Sequence, residues 1–187
     1  MEHCEAVVIG GSAGSLEVLL QMLPVIDTSI PFPIVIVIHR KNGSESLLSD
    51  LLRSRTKMKV KEVDEKIPLE AGTVYIAPSD YHTLIENDKT FSLDYSEKVN
   101  FSRPSIDVTF QSAAEVYRSK LVCILLSGSN ADGVDGLRSV KAWGGIAVVQ
   151  DPKNAQVPYM PEYALKNVNI DHVLRREEMG NFINLLS

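Results

Sequence analysis

Four short apolar runs set the strongest limit on how this chain can fold. AVVI (Ala6–Ile9), IVIVI (Ile34–Ile38), LVCILL (Leu121–Leu126) and IAVV (Ile146–Val149) carry no polar residue and no polar alternation. A strand with one wet face alternates apolar and polar side chains, because successive side chains point to opposite faces. Runs without alternation are expected where both faces of a parallel sheet are covered. Two weaker strands are expected at Lys59–Val63 and Val74–Ala77. Between the runs, helical spacing predicts helices at Ser15–Leu23, Ser46–Arg53, Ile106–Arg118, Val134–Trp143, Pro161–Lys166 and Glu177–Leu186. In the third of these Ile106, Phe110, Ala113 and Tyr117 share a face, and Ser105 suits the N-cap. His82–Tyr95 reads instead as an antiparallel hairpin turning at Asn87-Asp88-Lys89.

The sum is a single α/β domain over 1–187: three layers, a mostly parallel doubly wound sheet with helices on both faces, and one β-hairpin. With 44% hydrophobic and 23% charged residues, the composition is that of a soluble globular protein. The net charge of −5 argues against a nucleic-acid partner. PIVIVI is far too short to span a bilayer, so no membrane insertion is expected. The opening MEHCEAVV has neither a basic n-region nor a long apolar stretch, which makes the cytoplasm the expected compartment. Cys4, Cys123 and the four scattered histidines have no metal-ligand spacing, so neither a metal nor a cofactor is expected.

In sheets of this kind functional groups collect beyond the carboxyl ends of the strands. After the first strand stands GGSAGS, Gly10 to Ser15. A dinucleotide-binding turn needs glycines at its first, third and sixth positions, and this stretch fails in either register. The next strand also ends in His39, where such a site would place an acid for the ribose. No Gly-Lys-Ser/Thr is present, which removes a P-loop. Gly-x-Ser-x-Gly does match, through Gly10, Ser12 and Gly14. Ser12 either stands exposed on a sharp turn as a nucleophile or caps the following helix. His39 either takes a proton from Ser12 or bonds locally. In LLSGSNADGVDG, Asp132 or Asp135 either orients that histidine or caps the helix beyond. A glycine-rich anion-binding loop is a further option there. Serine, histidine and aspartate after three strands of one sheet favour a catalytic triad.

The same segments resemble the catalytic domain of the bacterial chemotaxis protein-glutamate methylesterases, the CheB type. GGSAGS, VIVIHR, YIAPSDYH, NFSRPSIDVTFQSAA, ILLSGSNADGVDG and QDPKNAQVPYMP match the family's motifs in order over nearly the whole chain. The resemblance places the catalytic serine on Ser12, the histidine on His39 and the aspartate on Asp132, and oxyanion contacts at backbone amides near Ala13 and Ser129. It implies a serine hydrolase that removes methyl from glutamate esters on methylated chemoreceptor-like proteins and deamidates glutamines by the same route. Rival readings are an esterase of another substrate and a non-catalytic signalling module with the same partners. Arg103 is expected either to bind a substrate carboxylate or to pair with Asp107 or another acid of the chain. Tyr81 is expected at the site's rim or in hairpin packing, with His82 beside it. Ser129 and Arg40 depart from the family, which usually has methionine at both positions. No phospho-receiver domain fits before the first strand, so a separate receiver protein or a methyltransferase is the expected regulatory partner.

Overall fold

The computed structural model describes residues 3–39 and 45–187, with the backbone alone at 45 and 46. Its strands are β1 (Ala6–Gly11), β2 (Ile34–Ile38), β3 (Lys59–Glu62), β4 (Thr73–Ile76), β5 (His82–Ile85), β6 (Phe91–Asp94), β7 (Leu121–Leu125), β8 (Ile146–Gln150) and β9 (His172–Leu174). The helices are α1 (Ser15–Met22), α2 (Glu45–Arg53), α3 (Ile106–Tyr117), α4 (Val134–Ala142), α5 (Tyr159–Asn167) and α6 (Met179–Asn184). Seven strands form one sheet in the order β3-β4-β2-β1-β7-β8-β9, parallel at every pairing. β5 and β6 form the separate antiparallel hairpin. The three-layer architecture expected from the unalternated runs is therefore present.

Those runs bury both faces because each strand divides its side chains between two cores. Val7, Ile9, Ile34, Ile36, Val122 and Ile124 join α1, α2 and α6 on one side. Val8, Val35, Val37, Cys123, Leu125 and Val149 join α3, α4, α5 and the hairpin on the other. Consecutive residues alternate between the two clusters with the strand period of two, so an all-apolar run is what the position demands.

Most differences from the expected elements lie at their ends. β1 runs on through Gly10 and Gly11, still paired with Val37 and Ile38. α5 starts two residues earlier than the apolar pattern suggested, with Pro158 at its N-cap. The last helix is shorter than predicted, because Glu178 is its N-cap and Leu185 its C-cap. β9 was not anticipated: three residues with partly exposed side chains carry too little pattern to mark a strand. Arg40 lies outside the described residues.

Candidate active site at the sheet's switch point

From β1 the chain adds β2 beside it, then the edge strand β3, then β4 between β3 and β2, and afterwards crosses to the other side of β1 with β7. The direction of winding reverses between β1 and β7, and the cleft beyond such a reversal is where parallel sheets place ligands. Here three strand ends are stitched together by backbone hydrogen bonds. The Leu126 amide donates to Gly10 O at 2.8 Å, Ser12 N to Ser127 O at 2.9 Å, and His39 N to Gly11 O at 3.1 Å. Ser12, His39 and the loop leading to Asp132 are thus held by the rigid part of the sheet.

Ser12 does not cap α1. The N-cap is Gly14, whose φ of 82° lies in the left-handed region that favours glycine. Ser15 Oγ donates to the Ser12 carbonyl at 2.5 Å and tightens the turn. On the far side stands Gly128, where a Cβ would come within 3.1 Å of Ser12 Cβ and 2.4 Å of Met160 Cε. Backbone from β7 approaches the serine closely only because no side chain intervenes. Ser12 Oγ has no hydrogen-bond partner among the described residues. It opens, with His39, into a cleft of ≈ 390 Å³ walled by Leu16, Ile38, Leu47, Leu48 and Leu51.

His39 Nε2 meets Asp132 Oδ2 at 2.6 Å. The carboxylate is fully buried, and donors surround it. Oδ2 also accepts from Ile106 N at 2.7 Å. Oδ1 accepts from Ser105 Oγ at 2.9 Å, Asp107 N at 3.0 Å, Gly133 N at 3.1 Å and Asn100 Nδ2 at 3.4 Å. Asp132 therefore sits on the first turn of α3, where unpaired amides and the positive dipole end favour a negative charge. Burial pushes its carboxyl pKa up, but the bonds from His39, Ile106 and Asp107 outweigh burial and hold it below the ordinary value. An ionised carboxylate only accepts, so Nε2 carries the imidazole proton and Nδ1 carries the lone pair. That lone pair faces Ser102 Oγ at 3.3 Å.

Behind Asp132 lies a second buried acid. Asp107 Oδ1 accepts from Gly136 N at 2.7 Å, and Oδ2 from Asn100 Nδ2 at 2.7 Å. Burial pushes the Asp107 carboxyl up to about 7, and the neighbouring charge of Asp132 adds to the rise against the Gly136 bond.

The other singled-out residues are placed as follows. The amides of Ala13 and Ser129 donate to no group of the chain among the described residues, and both residues are exposed. Arg103 turns to its own loop rather than to Asp107: Nη1 donates to Ser96 O at 2.7 Å and Tyr95 O at 3.4 Å, and the guanidinium lies 3.9 Å from the Tyr95 ring centre. Tyr81 packs on the same Tyr95 ring, the two centroids 5.5 Å apart. His82 is buried, bonded through Nε2 to Glu97 O and accepting from Ser105 N at Nδ1. Asp135 is an exposed partner of Arg138 one turn along α4. No described helix is long and apolar enough to cross a membrane.

Sequence reasoning placed the start of α3 and its Ser105 cap but did not find Asn100, Ser102 or the seating of Asp132 on that helix end, although all lie in or against the NFSRPSID segment. Its polar residues precede a recognisable N-cap, but nothing in their order tells which distant side chain they meet. Ser127 was also missed. Its hydroxyl donates to Ala13 O at 2.7 Å and accepts from Val157 N at 2.9 Å, tying the turn after β1 to the segment before α5.

A parallel α/β sheet with a serine hydroxyl unpaired among the described residues, and a part-buried imidazole on a buried carboxylate, at its switch point defines a hydrolase-like class of protein. The family model for the CheB methylesterase matches residues 7–183, and the chain belongs to that family. A Leptospira interrogans protein named protein-glutamate methylesterase/protein-glutamine glutaminase is 46% identical over 182 residues, covering 97% of this chain and 94% of that protein. A Thermotoga maritima protein of the same name is 37% identical over 171 residues, covering 90% of this chain and 50% of its own length. The crystal structure of the Thermotoga maritima CheB methylesterase catalytic domain superposes with a TM-score of 0.94 at 34% identity, covering 98% of this chain and 99% of that one.

Proposed function

We propose that this protein is a serine hydrolase that demethylates glutamate γ-methyl esters on chemoreceptor-like signalling proteins, and that Ser12, His39 and Asp132 carry the reaction. The observation that supports the roles best is the 2.6 Å His39–Asp132 pair beside Ser12 in one cleft. Ser12 Oγ attacks the ester carbonyl while His39 Nδ1 takes its proton, and Asp132 stabilises the imidazolium that forms. The unspent amides of Ala13 and Ser129 receive the oxyanion. Collapse of the tetrahedral intermediate breaks the C–O bond to methoxide, which His39 protonates to methanol. Water, deprotonated by His39, then attacks the acyl-enzyme and leaves a glutamate carboxylate and free Ser12. A glutamine enters the same route with ammonia leaving.

The leucine-rich wall of the cleft suits this choice of substrate. A methyl ester is neutral and the product is a carboxylate, whose burial against apolar side chains is unfavourable. The site therefore favours what it consumes over what it makes. Methanol release from a methylated chemoreceptor is the direct test. Ser12→Ala should lower turnover by roughly four or more orders of magnitude, and turnover near wild type would remove Ser12 from the role. Hydrolysis of small esters without methanol release from the receptor would overturn the substrate.

A further inference from the structure

The turn Val99–Ser102 brings a second hydroxyl to the histidine. Val99 and Ser102 exchange backbone hydrogen bonds of 3.1 and 2.9 Å, and the two residues between them have positive φ, 50° at Asn100 and 64° at Phe101. This is the mirror-image hairpin turn, which ordinarily takes asparagine then glycine. A phenylalanine in the left-handed region is unfavourable, and at 96% exposure Phe101 gains nothing from packing. What the turn does achieve points inward. Asn100 Nδ2 reaches Asp107 and Asp132, and Ser102 Oγ reaches His39 Nδ1. Arg103 fastens the root of the turn to Tyr95 and Ser96. Strain held in place at a site is a pointer to a role there.

A neutral imidazole has one lone pair in its ring plane, and the protonation of Nε2 leaves it on Nδ1. Ser12 needs that lone pair to lose its proton. We propose that Ser102 is a positioning residue that occupies the His39 Nδ1 lone pair in the resting site and competes with Ser12 for it, so that the nucleophile is fully activated only when the Val99–Ser102 turn shifts. The proposal rests on the assignment of Ser12 as nucleophile and His39 as base. Among the described residues the charged group facing His39 is Asp132, with Asp107 behind it, and the walls from α1 and α2 are the leucines of the cleft.

A small fluorophosphonate tests this without a docked protein. In its reaction the serine oxygen forms a bond to phosphorus, the P–F bond breaks, fluoride leaves, and the serine proton passes to His39. Labelling rates would be followed from pH 5 to 9, with the labelled residue located by peptide mapping. Label should fall on Ser12, and Ser102→Ala should speed it by roughly 2- to 10-fold, the worth of one neutral hydrogen bond. The acidic limb of its profile should move to higher pH, because a donor that favours the neutral ring has gone. Ser102→Thr, which keeps the hydroxyl, should behave as wild type. Phe101→Gly suits the left-handed turn, so it should seat Ser102 more firmly and slow the labelling. Label on Ser12 at an unchanged or lower rate in Ser102→Ala, or an unchanged or faster rate in Phe101→Gly, overturns the competition and leaves the hydrolase assignment standing. Label on Ser102 that persists in Ser12→Ala overturns the assignment itself.

Discussion

With Oδ2 bonded to His39 at 2.6 Å and Oδ1 spread over the start of α3, the Asp132 carboxylate both tunes the base and holds a helix. Its two substitutions should therefore separate. Asp132→Asn keeps the shape but loses the charge and one acceptor, and kcat for methanol release should fall by about 10⁴. Asp132→Ala should lose as much activity and also leave buried amides without partners, costing about 2–4 kcal/mol in urea unfolding. The paired acids also respond to pH with opposite signs. The folded pKa of Asp132 lies below the ordinary value near 3.8, so its stabilisation is present above that value and is lost as pH falls further. Asp107, raised to about 7, keeps in the folded state a proton that the unfolded chain releases near 3.8. Its contribution thus weakens as pH rises from about 4 to about 7. Thermal melts of Asp107→Asn should show less decline over that window than the wild type; an identical slope would contradict the assignment.

Helix α3 packs closely on β1 at Gly10 and on α4 at Gly136, where the absence of a side chain makes room for it. A Cβ on Gly10 would stand 2.3 Å from Ile106 Cγ2 and 3.1 Å from Phe110 Cζ, and one on Gly136 would stand 2.5 Å from Phe110 Cβ. Gly10→Ala should cost about 1–3 kcal/mol through overpacking, lowering Tm by about 2–4 °C for each kcal/mol in a chain of this size. It should also lower activity beyond its effect on stability, since the amides of Ile106 and Asp107 would shift from Asp132. The Gly-x-Ser-x-Gly pattern was legible in the sequence, yet Gly10 answers to a packed helix rather than to the turn itself. The apolar face of α3 and its Ser105 cap were legible too. What the helix end holds was not, because a backbone amide leaves no mark in sequence, and its acceptor is 26 residues from Ile106.

Across the sheet, protection should follow strand order. β1 is flanked by β2 and β7, and both cores cover it. Native-state hydrogen exchange should find the slowest amides in β1, β2 and β7 and faster ones in the edge strands β3 and β9. Uniform protection over all seven strands would contradict that gradient. Strand composition made this architecture readable, since apolar runs without alternation leave few alternatives to a covered parallel sheet. His39 was readable for the same reason, as the first polar residue after such a run. Ser102 and Asn100 were not, because a loop has no period and its side chains are aimed by φ angles rather than by residue type.

The position of β7 beside β1 has a consequence for a chain made from its N-terminus onward. Ser12 and His39 leave the ribosome before Asp132, at the ends of two strands that pair directly with each other. The carboxylate that completes their set arrives only after the hairpin and α3 have been synthesised, and it is seated by the amides of that later helix. A nascent chain ending before β7 thus carries the hydroxyl and the imidazole without the aspartate. Hydrolytic competence should switch on late in synthesis, as β7 docks, rather than grow with chain length.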